Sequence, residues 1–139
     1  MTYGEAAAWL SRGVRIRARI GDQLARIEKW RGLAESITQT LKDTPPSPSM
    51  PSKRTEKYAV LIADAESEIE NEVWSLKCVE SEIQYAIRQL HDPVYEEILT
   101  KRYLLDQTWD QIAGQMHYST RWIMDLKIRA ISEIARVNS

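Results

Sequence analysis

The feature that most constrains this chain is a heptad repeat of apolar residues in its middle third. Between Glu56 and His91, apolar side chains recur every seven residues, and small or branched apolar residues follow three of them by three positions. The first set is Ile62, Ile69, Leu76, Ile83 and Leu90, and the second is Ala65, Val79 and Ala86. A repeat of this period places these side chains on one stripe of an α-helix, which another helix must cover. Glu72 interrupts the repeat, and the neighbouring Val73 takes the apolar position.

A second segment of matching length precedes this one. From Glu5 to Lys42 there is no proline, and the apolar residues recur at steps of three and four, as on one helix face. These residues are Leu10, Val14, Ile20, Leu24, Ile27, Leu33 or Ala34, Ile37 and Leu41. Residues 43–55 hold four of the five prolines, which disfavour helix, so we expect an extended linker there. Two helices of about 55 Å joined by a short linker predict an antiparallel, coiled-coil-like hairpin.

The charges of the two segments are complementary. Residues 1–42 carry eight Lys or Arg and four Asp or Glu, whereas residues 56–91 carry three and eight. The basic residues include a cluster of four arginines, which are Arg12, Arg15, Arg17 and Arg19. This cluster would suit nucleic-acid phosphates. Because an acidic helix is present in the same chain, pairing within the hairpin is the favoured interpretation, although each exposed pair contributes only about 0.2–1 kcal/mol. The heptads allow pairing between chains equally well.

The last third of the chain has the signals of three shorter helices. Asp92 and Pro93 predict the first helix start, because Asp caps a helix and Pro suits its first turn. Thr108 and Gln111 form a capping box that begins a second helix, and Ser119 caps a third. The expected helix ends are near Leu104, Met116 and Val137.

These signals predict two domains, a hairpin at 1–91 and a C-terminal domain at 92–139. A domain of 48 residues has a small core and is marginal alone. We therefore expect it to dock on the end of the hairpin near Leu90, or on a second subunit.

The second and third helices have the spacing of a helix-turn-helix, in which a short helix and a longer one enclose a tight turn. Ala113 is the small residue needed where the two helices approach most closely. The positions that must be buried between them are all apolar, namely Ile112, Met116, Tyr118, Ile123 and Leu126. The turn position that usually takes glycine with positive φ is His117, a residue type tolerated there. The predicted fold class is all-α, a long antiparallel hairpin followed by a helix-turn-helix.

Residues 108–134, TWDQIAGQMHYSTRWIMDLKIRAISEI, resemble the region-4 helix-turn-helix of sigma-70 family transcription factors. Residues 95–103, YEEILTKRY, resemble the helix that precedes that motif. The whole layout is similar to that of small phage and prophage sigma-like regulators, including the ArpU type. The resemblance implies binding to double-stranded DNA at promoters and contact with host RNA polymerase. The chain has no match to the promoter-melting region of sigma factors, so we expect it to assist a host sigma factor.

The resemblance also implies which residues contact DNA. In the family the third helix lies in the major groove, and the residues after its cap read base edges. The corresponding residues here are Thr120, Arg121, Met124, Asp125, Ile128 and Arg129. On a helical wheel they point away from the Ile123–Leu126–Ala130–Ile134 stripe, and Arg121 is suited to bidentate contact with guanine. The candidates for phosphate contacts are Ser119 and Thr108 at helix N-termini, with Lys101 and Arg102.

Two features depart from the family. Residues 92–139 hold six Lys or Arg and seven Asp or Glu, whereas a DNA-binding domain is normally basic. A single copy should therefore bind DNA weakly, which favours a homo-oligomer, with a dimer preferred, or a protein held at promoters by polymerase. Trp122 is expected to pack on a neighbouring helix.

Composition narrows the alternatives. The chain has 139 residues with one cysteine, Cys78, two isolated histidines and no glycine-rich phosphate loop, so we expect no enzyme, cofactor or metal site. It lacks a signal peptide and a membrane span, and we expect a cytoplasmic protein. Two other functions remain open. One is a small-terminase-like DNA-packaging recognition subunit, and the other is a protein-interaction module that uses the helix-turn-helix as a scaffold.

Overall fold

The structure, a computed structural model, describes residues 1–42 and 51–138, with the backbone alone at residues 38–42 and 51–53. The described chain is helical and has no strand, which confirms the all-α class. Its elements are α1 (Tyr3–Leu10), α2 (Arg12–Lys42), α3 (Pro51–Arg88), α4 (Pro93–Leu99), a π-helical turn (Thr100–Leu104), α5 (Trp109–Met116) and α6 (Thr120–Val137). Within these ranges no helix combines the length and apolarity that crossing a bilayer requires.

The predicted first helix is bent at Ser11 into α1 and α2. Thr2 caps α1 with Glu5: the Glu5 amide donates to the Thr2 hydroxyl at 3.1 Å, and the Thr2 amide donates to the Glu5 carboxylate. The Ser11 hydroxyl donates to the carbonyl of Ala7 at 2.8 Å. A serine that bonds the carbonyl four residues earlier often bends a helix. The expected start at Glu5 was therefore two residues late, and the expected single helix is two.

The second long helix begins earlier than the sequence indicates. α3 starts at Pro51, so residues 51–55 are helical and are not part of an extended linker. Proline lacks the amide hydrogen that the first helical turn leaves unpaired anyway, and its fixed φ suits that turn. Residues 43–50 of the predicted linker lie outside the described residues. α3 ends at Arg88, short of the expected His91, which has a φ of 52°.

The chain divides into two compact units, which are residues 1–17 with 75–139 and residues 18–74. This division differs from the expected boundary between residues 91 and 92. The reason is that α1 and the last turns of α3 pack with the C-terminal helices, and a core formed by distant segments has no signal in local periodicity. We call the two parts the C-terminal unit and the hairpin unit.

In the hairpin unit, α2 and α3 run antiparallel. Their ion pairs link early residues of one helix with late residues of the other: Arg19 with Glu72 at 3.2 Å and Arg31 with Glu66 at 2.9 Å. The predicted hairpin and the pairing of its basic helix with its acidic one are thus present in this unit. Glu72, which occupies an apolar position of the heptads, forms an ion pair with Arg19 of the facing helix.

The C-terminal unit has one apolar core to which five helices contribute. Its fully buried large side chains are Leu10, Ile83, Ile87, Ile98, Leu99, Ile112, Ile123, Ile131 and Ile134. Each contributes about 1.5–3 kcal/mol by leaving water. Leu90 packs against this core, as the expected docking of the C-terminal helices on the hairpin end requires. The contact of α1 with α6 was not anticipated.

Candidate nucleic-acid interface

α5 begins at the capping box that the sequence predicts. The amide of Gln111 donates to the Thr108 hydroxyl at 3.1 Å, and the amide of Thr108 donates to the Gln111 side-chain oxygen at 2.9 Å. Two amides that a helix start leaves unpaired are thereby satisfied. The Thr108 hydroxyl, a candidate for phosphate contact, is therefore engaged in the cap, although the residue is exposed.

The turn between α5 and α6 is three residues long. His117 lies in the left-handed region at φ 57° and ψ 37°, as expected for the position that usually takes glycine. The amide of Tyr118 donates to the carbonyl of Ala113 at 2.9 Å, which closes the end of α5. Ser119 then caps α6, and its hydroxyl accepts from the amide of Trp122 at 3.1 Å. These bonds fix the corner through which the chain passes into α6.

The seam between α5 and α6 is apolar, as the spacing predicts. Ile112, Ala113, Ile123 and Leu126 are buried. Met116 and Tyr118 are half-buried and pack against the same core. One face of α6 therefore packs against α5.

The opposite face of α6 is exposed, and we call it the outer face. It comprises Thr120, Arg121, Met124, Asp125, Ile128 and Arg129, of which only Met124 is half-buried. Ile128 is 54 % exposed. In the part of the chain that the structure describes, the Arg121 guanidinium has neither a hydrogen bond nor an ion pair. Five of the six candidates thus share one accessible surface, as the helical wheel predicts, whereas Met124 also packs against the core.

The packing of Trp122 on a neighbouring helix stays a prediction. Its ring does not join the core and is 39 % exposed. The guanidinium of Arg129 lies over it, 5.4 Å from the ring centroid. Position 122 lies one residue before the buried Ile123, at the border of the buried face of α6. Its indole therefore belongs to the surface that carries Arg129.

Lys101 and Arg102 are less available than the sequence suggests. The Lys101 ammonium donates to the side chain of Gln115 at 3.0 Å, and Arg102 donates to the carbonyl of Gln107 at 3.0 Å. Both residues are half-buried, in the π-helical turn that replaces the last turn of the predicted helix. Contact with phosphate would require each to share or exchange its present partner.

A cationic cluster around Trp109 was not predicted from the sequence. Arg102 lies 5.9 Å from the Trp109 ring centroid, and Lys127 of α6 lies 5.5 Å from it. Tyr103 meets the same ring edge-on at 6.3 Å. Lys127 is half-buried and lies between the buried and outer faces of α6. The one sequence signal for this cluster is that Trp109 directly follows Thr108, the residue that caps α5.

The loop before α5 is held by Arg17 of α2. The Arg17 guanidinium contacts both carboxylate oxygens of Asp106, at 2.6 and 2.8 Å, and donates to the carbonyl of Tyr103 at 2.6 Å. It also pairs with Glu80 of α3. The bond to Asp106 raises the pKa of Arg17. Since Asp106 is neutralised in this way, the formal net charge of residues 92–139 overstates how acidic the domain is.

Three of the four clustered arginines are engaged by acidic residues: Arg12 by Glu82, Arg17 as above, and Arg19 by Glu72. Arg15 donates to the carbonyl of Ala8 at 3.3 Å. The structure therefore favours pairing within the chain for this cluster over a phosphate-binding role.

The described residues contain no group of three or more His, Cys, Asp or Glu side chains placed to hold a metal ion. His117 ends α5, and Cys78 is exposed. Comparison of the chain with family models, with curated proteins and with solved structures gave no match.

Proposed function

We propose that this protein is a phage-type DNA-binding regulator of transcription that acts at promoters with host RNA polymerase. The observation that carries the proposal is the outer face of α6, whose Arg121 is exposed and unpaired within the described chain while the opposite face is buried against α5. The resemblance of residues 108–134 to sigma-70 region 4 supports the same function. In this proposal α5, the turn and α6 form a region-4-like helix-turn-helix.

The chemistry of the outer face suits the major groove. Arg121 lies two residues after the Ser119 cap, in the part of a recognition helix that meets base edges. Its guanidinium would donate two hydrogen bonds to O6 and N7 of guanine. Asp125, one turn later, would accept from the amino group of cytosine, and Ile128 would contact a thymine methyl group. Thr120, Met124 and Arg129 complete the contact surface.

The phosphate contacts would come from the helix starts and the Trp109 cluster. The amides at the start of α6, next to Ser119, attract an anion, and Thr108 begins α5 in the same way. Arg102 and Lys127 add positive charge beside Trp109. Because the cations are few, affinity should be low for one copy and should depend only weakly on salt concentration.

Selection of duplexes from a random pool at low salt tests the proposal. The wild-type chain should enrich one sequence motif, and Arg121→Ala should fail to enrich it while keeping its helical circular dichroism. Arg136→Ala is the matched control, because Arg136 is an exposed arginine of the same helix that pairs with Glu133 at 2.8 Å. If the wild-type chain enriches no motif, the proposal fails.

The second candidate, a protein-binding scaffold, is favoured by the apolar content of the same surface. Ile128 and Trp122 are 54 % and 39 % exposed, which is compatible with a protein partner. Retention of RNA polymerase or another host protein in a pull-down, with no DNA bound even at low salt, would select this candidate.

A further inference from the structure

The hairpin unit has apolar surface that its own two helices leave uncovered. Only Ile27 and Ala65 are buried among its described side chains, whereas Leu24, Leu33 and Val60 are 41–59 % exposed. Helices in proteins owe most of their stability to covering an apolar face. A two-helix unit with this little burial has room for a further partner.

One side of the hairpin unit carries a long groove. It consists of two adjoining depressions that share Leu61. The first lies over Trp30 and Ala65, and the second lies over Ile37 and Tyr58. Apolar side chains therefore line the groove together with charged ones.

The charges along the α3 edge of this groove are ordered in an unusual way. The edge is formed by Arg54, Lys57, Leu61, Asp64 and Glu68. Steps of three and four residues place these side chains in one row on a helix. Two bases precede Leu61 and two acids follow it, at nearly equal distances in the sequence. We call this row the α3 stripe.

Most of the charges of the α3 stripe are available. Arg54, Lys57 and Asp64 are exposed, and within the described residues they form neither an ion pair nor a hydrogen bond. Glu68 accepts one hydrogen bond from Gln23 at 3.0 Å through one carboxylate oxygen. The side-chain oxygen of Gln23 is itself buried beside the groove without a partner in the described chain.

We propose that the α3 stripe binds the same stripe of a second copy of this chain. The two α3 helices lie antiparallel about a two-fold axis at Leu61. In this register Arg54 faces Glu68 of the other copy, Lys57 faces Asp64, and Leu61 faces Leu61. A two-fold contact uses the same patch twice and therefore requires a self-complementary surface, which the order of charges in this stripe provides.

The charge order also selects the orientation and the class of partner. Parallel pairing would place bases against bases and acids against acids, which is unfavourable. A nucleic acid would be repelled by the acidic half of the stripe. Because surface ion pairs are screened by salt, the dimer should weaken as ionic strength rises. The proposal does not depend on DNA binding by α6, although a dimer would supply two copies of its outer face.

Two charge-reversed full-length variants test the proposal. Asp64→Lys with Glu68→Lys makes the stripe wholly basic, and Arg54→Glu with Lys57→Glu makes it wholly acidic. We expect the wild-type chain to sediment as a dimer at low salt and each variant alone to sediment as a monomer. An equimolar mixture of the two variants should restore the dimer, because each wholly basic stripe then meets a wholly acidic one.

The mixture serves as the control for folding, since variants that had lost their helices would not recover a dimer together. Circular dichroism of each variant should equal that of the wild type. The proposal would be overturned if the wild-type chain were a monomer at about 100 µM, a concentration at which a micromolar interface is occupied. It would also be overturned by variants that stay dimeric alone, by a mixture of folded variants that stays monomeric, or by a ring of more subunits.

Discussion

The guanidinium of Arg17 grips the carboxylate of Asp106 with two hydrogen bonds, of 2.6 and 2.8 Å, across 89 residues of sequence. Asp106 has a φ of 55° and lies between the π-helical turn and the cap of α5. The same guanidinium also donates to the carbonyl of Tyr103, so one side chain bonds two parts of this loop. The first turns of α2 thus hold the loop that leads into α5.

Arg17→Ala should lower the free energy of unfolding by about 1–2 kcal/mol. A hydrogen bond to a charged group contributes about 1.5–3 kcal/mol, and this figure is reduced here because Asp106 is 44 % exposed. Urea denaturation measures the loss. Arg31→Ala is the control, since its pair with Glu66 is more exposed and should contribute less than about 1 kcal/mol. Equal losses for the two variants would contradict a special role for Arg17.

His117→Gly should stabilise the protein. A residue other than glycine in the left-handed region costs about 1 kcal/mol, and His117 has a φ of 57° there. We expect a gain of about 0.5–1 kcal/mol for glycine and a loss of at least about 1 kcal/mol for His117→Val, because a branched side chain tolerates this region least. Thermal unfolding followed by circular dichroism measures both. A valine variant as stable as wild type would show that the corner is not formed.

The two faces of α6 should respond differently to the same substitution. Ile123 is fully buried, so Ile123→Ala should cost about 2–5 kcal/mol through lost burial and a cavity. Ile128 is 54 % exposed, and Ile128→Ala should change stability by less than about 0.5 kcal/mol. Chemical denaturation of both variants measures the contrast. A large loss for Ile128→Ala would mean that this side of α6 is covered.

Alkaline pH should destabilise the C-terminal unit through Tyr103. Burial raises the pKa of the Tyr103 hydroxyl above its ordinary value. The folded chain then holds this proton more tightly than the unfolded chain does. The contribution to stability is complete below the unfolded pKa of about 10 and is lost as pH rises through the folded pKa.

Tyr103→Phe should therefore lose less stability than wild type between pH 10 and 12 (roughly the window above the ordinary tyrosine pKa). The pKa of Arg17 is also raised, but its contribution is lost only above this window. Urea denaturation at several alkaline pH values measures the difference. If the free energies of unfolding of the two proteins fell in parallel with pH, Tyr103 would not be the group responsible for the alkaline loss of stability.

Local signals predicted the C-terminal helices well because caps act within a few residues. The Thr108 box, the Ser119 cap and the positive φ of His117 all lie within one or two turns of the helix ends that they define. The heptads and the complementary charges likewise predicted the two long helices, because a helical stripe is a local pattern of the sequence. Their exact ends depended on Ser11 and Pro51, whose effects are smaller than those of periodicity.

Contacts between segments that are distant in the sequence could not be predicted from such local signals. The burial of α1 against α6, the grip of Arg17 on Asp106 and the exposure of Trp122 each depend on which elements meet in space. The π-helical turn at residues 100–104 likewise has no sequence signature, since its backbone pattern differs from that of α4 by one residue of register.

The most direct test of the account is the affinity of three chains for the duplex that the wild type selects. Arg121→Ala should weaken binding about 5- to 150-fold, the equivalent of the roughly 1–3 kcal/mol of a bidentate contact with guanine. Arg136→Ala should bind within about twofold of wild type, a difference of roughly 0.4 kcal/mol. Equal affinity of Arg121→Ala and wild type for this duplex would contradict DNA recognition by the outer face of α6.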